Sequence, residues 1–221
     1  MSNTGRKDVD ELIEQGRLTC ENAQNSPEIS MQLQPYGGAG LLETGKKLLQ
    51  ELILNQDKQV HLNAEKKKAT ASFNQARAVL NKTFALHRKI SRALLIDQPT
   101  LMTQLGLNGD IPSGYESWIN LYRRFYQEPL NDATLSGLLE KVGLTREILQ
   151  QSLLKSDEIV SIVAKQEAIK AQSQQATQDR DQAAKVFRKW RNDFLKIAEV
   201  ALANNPQLLE QLGKIVKKGG S

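Results

Sequence analysis

At 221 residues the chain is long enough for one or two small domains. It is 39% hydrophobic but only 5% aromatic, which is the profile of a long-helix protein rather than of a compact enzyme core. The net charge of +5 is mild, and lysines are scattered among glutamates and glutamines, which disfavours a nucleic-acid patch. The single cysteine, Cys20, excludes an intramolecular disulfide framework and a multi-cysteine metal site and reads as a buried, inert thiol.

The N-terminus, MSNTGRKDVDELIEQ, turns acidic too soon for a signal peptide. No run of about 18 apolar residues occurs, so no membrane span is expected, and a cytoplasmic location follows as the default. The first helix is predicted over about 8–24. A short second helix opens at Ser26-Pro27, where the hydroxyl can accept from free N–H groups and proline fits the first turn. The glycine-rich stretch PYGGAG (35–40) precedes a helix and could in principle cradle an anion, but it lacks a preceding strand and a Gly-Lys-Ser/Thr ending. Residues 46–98 contain neither Gly nor Pro and form a long segment. The lysines Lys66, Lys67 and Lys68 follow Glu65 and read as a solvated face. A short helix follows, opened by Pro99 and stopped by Gly106.

After a linker at 108–113, a helix over 114–127 opens on Ser113-Gly-Tyr-Glu116, a capping-box spacing. Asp132 begins a short helix that Gly143 can end in the left-handed conformation. A second long segment without Gly or Pro, 144–205, leads to a short helix between Pro206 and Gly213. Residues 215–221 read as a basic tail whose final Gly-Gly-Ser is appended rather than native.

This order of parts occurs twice. Shifting the chain by 107 residues aligns 51–107 with 158–214 without a gap and gives 18 identities in 57 positions, against roughly 4 to 5 by chance for such a composition. The pairs include Ala69/Ala176, Thr70/Thr177, Val79/Val186, Lys82/Lys189, Lys89/Lys196, Pro99/Pro206 and Gly106/Gly213. The domain reading is therefore a helical repeat at 8–107, the linker 108–113 and a second repeat at 114–214, with one shared core.

In the second long segment a heptad seam runs through Ile159, Ile162, Gln166, Ile169, Ser173, Ala176, Arg180, Ala183, Phe187, Trp190, Phe194, Ile197 and Ala201, with ten of thirteen positions apolar. The first segment keeps the phase with Leu52, Leu62, Ala69, Phe73, Ala76, Leu80, Ile90 and Leu94, and has polar seam positions at Asn55, Gln59, Lys66, Thr83 and His87. An unbroken 3–4 phase through each Ala-Thr favours one continuous helix per segment. The alternative is a hairpin turning near Thr70 and Thr177, although no Gly, Pro or Asn marks a turn there. The fold expected is all-α: an elongated antiparallel helical bundle or coiled coil, built from two tandem repeats with short helices at its ends. Ala69 and Ala176 would face each other near its centre.

The run ATQDRDQAAKVFRKWRNDFLKIAEVALANNPQLLEQLG resembles a motif of functionally uncharacterised bacterial helical proteins. Arg180-Asp181, Ala183, Trp190, Asp193-Phe194, Ile197-Ala198, Ala201-Leu202, Pro206, Leu208-Leu209-Glu210 and Leu212-Gly213 carry the likeness. The first copy departs from it, with Thr83 and His87 in place of the Trp and Phe. The resemblance implies an all-helical duplicated fold and no nameable activity.

No nucleophile elbow, phosphate loop or metalloprotease helix occurs. His61 and His87 lie 26 positions apart on one predicted helix, and neither follows a Glu at the i−3 position that a carboxylate-bridged metal centre uses. No cofactor, metal or small-molecule substrate is expected, and the chain reads as non-enzymatic. The distinctive local feature is GYESWINLYRRFYQEP. Tyr115, Trp118, Tyr122 and Phe125 share a helical face beside Arg123 and Arg124, and if exposed they would form a partner hot spot. The competing expectation packs them against the bundle. The functional expectation is a scaffold or adaptor with a protein partner. Alternatives are a membrane-surface-associated helical protein and, less favoured, a nucleic-acid-binding accessory protein. Self-association stays open.

Overall fold

The computed structural model describes residues 3–214, with side chains from Asp8 onward. The tail at 215–221 lies outside the described residues. Among the described residues there are eight α-helices and no strand: α1 (Asn3–Asn25), α2 (Pro27–Leu33), α3 (Gly38–Leu94), α4 (Pro99–Gln104), α5 (Tyr115–Asn131), α6 (Ala133–Glu140), α7 (Arg146–Ala201) and α8 (Leu208–Gln211). A 3-10 turn at Gln34–Tyr36 joins α2 to α3.

Local chemistry sets most of the boundaries. The Ser26 hydroxyl accepts from the Ile29 amide at 3.4 Å with Pro27 in the first turn, and the Asp132 carboxylate accepts from Leu135 at 3.0 Å. Each satisfies an amide that the helix itself leaves unpaired. Gly143, which follows α6, has φ of +82°, and Gly106, which follows α4, has φ of +61°, the left-handed backbone that only glycine adopts without steric cost. The expected capping box at Ser113 does not form. Gly114 caps α5 without a side-chain bond, and the Ser113 carbonyl instead accepts from Arg77 at 2.6 Å. Helix α5 also runs past the expected end at 127, through Pro129.

Both long segments are single helices of 57 and 56 residues. Thr70 and Thr177 lie within them, each donating its hydroxyl to the carbonyl four residues back, at 2.9 Å, so neither marks a turn. Helix α3 begins at Gly38, which takes Gly40 of the glycine-rich stretch, and Gly45 after it, into its first turns.

The chain forms two compact units. One comprises residues 1–64 and 171–221, the other 65–170. In the first unit, α1 and α2 pack on the N-terminal half of α3 and the C-terminal half of α7. The two long helices are antiparallel there: Ser173 donates to Asn63 at 2.9 Å, and Lys58 lies 3.7 Å from Asp179. Thr19 of α1 ties down the end of α8, donating to the Leu212 carbonyl at 3.0 Å while accepting from the buried Arg191. In the second unit, α4, α5 and α6 pack on the C-terminal half of α3 and the N-terminal half of α7. Gln166 donates to Thr70 at 3.1 Å, again antiparallel.

Every seam position from Ile159 to Ala201 on α7 is buried or half-buried. On α3 the seam turns. In the second unit its buried positions are Leu80, Phe84, Arg88 and Ser91, while Thr83 of the predicted seam is exposed. Ala176 is buried in the first unit, and Ala69 is half-buried in the second.

Candidate functional site

The aromatic face of α5 is interior. Trp118, Tyr122 and Phe125 are buried, and so is Tyr126 one position further on. They surround Phe84 of α3, whose ring centroid lies 5.0 Å from that of Tyr122 and 5.5 Å from that of Phe125. The polar atoms on these rings are satisfied. Trp118 donates its indole N–H to Asn81 at 3.1 Å, and the Tyr126 hydroxyl lies 2.9 Å from His87 Nδ1. Burial pushes the Tyr122 phenol up to about 12, raises that of Tyr126, and holds His87 below its ordinary value with a further contribution from Lys155.

These three rings therefore cannot present the hot spot that exposure would have allowed. The physical reason is that large aromatic area is the strongest burial term available to a chain this poor in it. The flanking arginines are structural as well. Arg123 donates to Ser156 at 3.1 Å and pairs with Asp157, and Arg124 donates to the carbonyls of Gln104 and Thr103 at 2.8 and 2.6 Å. Tyr115 is half-buried, edge-on to Phe73.

Other chemistry-bearing groups are occupied in the same way. Cys20 is buried and its thiol is raised to about 11, chiefly by burial, so little thiolate is present near neutral pH. In the first unit an open groove of about 270 Å³ between α3 and α7 is lined by Leu48, Glu51, Asn55, Asp179, Gln182 and Val186. It is smaller and more open than the enclosed sites that hold small molecules. Among the described residues no group of three or more His, Cys, Asp or Glu side chains is placed to hold a metal ion.

What sequence reading missed is the outer face of α3 in the second unit. From Lys66 to Ile96 the chain carries eight lysines and arginines and no aspartate or glutamate, more than the whole net charge. Three of the eight serve the fold. Arg77 lies 5.0 Å over the Trp118 ring, the buried Arg88 donates to Gly106 and Gly109, and Arg92 donates to Leu107. Lys68 pairs with Glu65 at 3.0 Å. Lys82 and Lys89 are exposed and form no ion pair among the described residues.

Beside them Val79 is 63% and Leu86 55% exposed. At 100° per residue these positions fall on the side of α3 opposite Phe84 and Arg88. The signal that would have found this face is the 31-residue stretch without a carboxylate, which a count over the whole chain averages away.

No family model matches the chain, and no curated protein or solved structure matches it.

Proposed function

We propose that this protein is a non-enzymatic helical scaffold or adaptor that binds another protein. The observation that carries the reading is how its side chains are used. The aromatic and polar groups that could form a site close the interior, while large apolar residues of the two long helices stay outside: Leu54, Val79 and Leu86 on α3, and Leu154, Val160, Val186 and Val200 on α7. Apolar side chains exposed singly are ordinary on a protein surface, but ones gathered on one face mark contact surfaces.

Affinity isolation of the full chain from its native host, with chemical crosslinking, tests this. A saturable partner of fixed stoichiometry is expected. Recovery of the chain alone, with and without crosslinker, refutes the reading. The carboxylate-free segment of α3 favours anionic lipid surfaces as a second reading. Flotation with anionic vesicles decides it, and absence of the chain from the vesicle layer removes it. No helix among the described residues is long and apolar enough to cross a membrane.

A further inference from the structure

The 107-residue shift supplies an internal comparison for the outer face of α3. Four positions there, Val79, Lys82, Leu86 and Lys89, align with Val186, Lys189, Asp193 and Lys196 on α7. Three of the four are identical, and the fourth changes the chemistry. On α7, Asp193 sits between the two lysines, accepting from Lys189 at 2.9 Å and lying 3.8 Å from Lys196. Both cations hold its carboxyl below the ordinary carboxylate value. That face is partly neutralised within its own helix, by the i,i+4 and i,i+3 pairing that helices allow. On α3 the aspartate is Leu86. The same two lysine positions are left without a counter-ion, and the acidic position becomes an apolar one.

We propose that this face of α3 is a docking surface for an acidic amphipathic helix of a partner protein. The inference rests on the scaffold reading and names where and what the scaffold binds. Val79 and Leu86 are seven residues apart, the spacing at which one helix presents successive knobs to another. Lys82 and Lys89 repeat the same interval along one flank of that line. A helix laid along α3 with leucines facing Val79 and Leu86 and glutamates facing Lys82 and Lys89 supplies both what is uncovered and what is unpaired. Charge complementarity of this kind fixes partner choice and register more than it adds affinity. Two large apolar residues seven apart make a narrow line rather than the broad apolar face that seats a helix in a lipid interface, which favours the helical occupant.

The test uses the full chain and a labelled 28-residue peptide with leucine at the heptad seam and glutamate on its flanks. A lysine-flanked version serves as control, and binding is read by fluorescence anisotropy. Leu86→Asp copies the α7 pattern onto α3. It is an exposed substitution, and circular dichroism confirms that the fold persists.

The expected result is binding of the acidic peptide that weakens as salt rises, falls at least about tenfold in Leu86→Asp and in Lys82→Glu/Lys89→Glu, and is unchanged in Leu54→Asp on the same helix in the other unit. Equal binding of both peptides, no binding, or indifference to Leu86→Asp overturns the proposal. Anionic-vesicle binding lost in Lys82→Glu/Lys89→Glu without peptide preference overturns it in favour of lipid. Self-association of the chain abolished by Leu86→Asp overturns it in favour of a second copy. A natural partner captured equally by the wild-type chain and by Leu86→Asp sinks this surface while leaving the scaffold reading intact.

Discussion

Gly45 stands eight residues into α3, where alanine would ordinarily be the better choice. Replacing a helix-interior glycine by alanine is worth about 1 kcal/mol of propensity, so Gly45→Ala should stabilise the protein if the position were merely a surface one. The tertiary structure reverses the sign. A Cβ on Gly45 would lie 1.9 Å from Cζ2 of Trp190 and 2.2 Å from Cη2, where ordinary carbon contacts are about 3.5–4.0 Å.

The ring cannot slide along its stack, because it lies between Phe187 and Phe194 with centroids at 5.4 and 5.2 Å. Phe187 is itself held against Gly16 of α1, where an added Cβ would come within 2.5 Å of its ring. Moving outward would break the bond from the Trp190 indole to the Leu41 carbonyl at 3.1 Å. Overpacking of this kind costs about 1–3 kcal/mol, so after the propensity gain Gly45→Ala should lower stability by up to about 2 kcal/mol. Urea denaturation followed by circular dichroism measures it. The decisive control is the Trp190→Leu background, in which the obstruction is gone and the same glycine substitution should stabilise by about 1 kcal/mol. A Gly45→Ala midpoint at or above wild type in the native background, or the same sign in both backgrounds, would refute this reasoning.

Further outcomes follow from the same contacts. Ala176 is 1% exposed in the first unit, so Ala176→Leu should cost about 1–3 kcal/mol by overpacking, and an unchanged denaturation midpoint would contradict that packing. Arg88 is buried and serves two carbonyls. Arg88→Leu leaves the Gly106 carbonyl without its donor, while Gly109 keeps Arg92, and should cost about 1–3 kcal/mol, read as an earlier thermal or urea transition and earlier hydrogen exchange in the segment 103–109. His87 has its pKa lowered from 6.5, first by burial and then by Lys155. The unfolded chain therefore binds a proton before the folded one does, and the contribution of neutral His87 is complete above pH 6.5 and lost as pH falls below it. Stability measured from pH 7.5 to 5 should decline, and His87→Gln should flatten that decline. An identical pH profile in the variant would rule His87 out as its source.

The parts of the fold governed by neighbours in sequence were legible in the sequence. Ser26 and Asp132 cap because a short oxygen-bearing side chain reaches an amide three residues on, and Gly106 and Gly143 stop helices because their backbone is left-handed. None of these depends on the rest of the molecule. The continuity of α3 and α7 through Ala-Thr was readable for a similar reason: an unbroken apolar phase without Gly or Pro leaves the chain no place to turn.

Periodicity names an apolar face but not its cover. Phe84 and Val79 lie on opposite sides of one helix. The tertiary structure alone decided that α5 covers Phe84 and that Val79 and Leu86 stay uncovered. It also buried Trp118, Tyr122 and Phe125, set Trp190 on the bare backbone of Gly45, and brought α1 and α2 together with the C-terminal half of α7 and with α8. Those outcomes depend on residues up to 193 positions apart, such as Thr19 and Leu212, and contacts between such residues are fixed by three-dimensional packing and the satisfaction of buried polar groups, which no local pattern encodes.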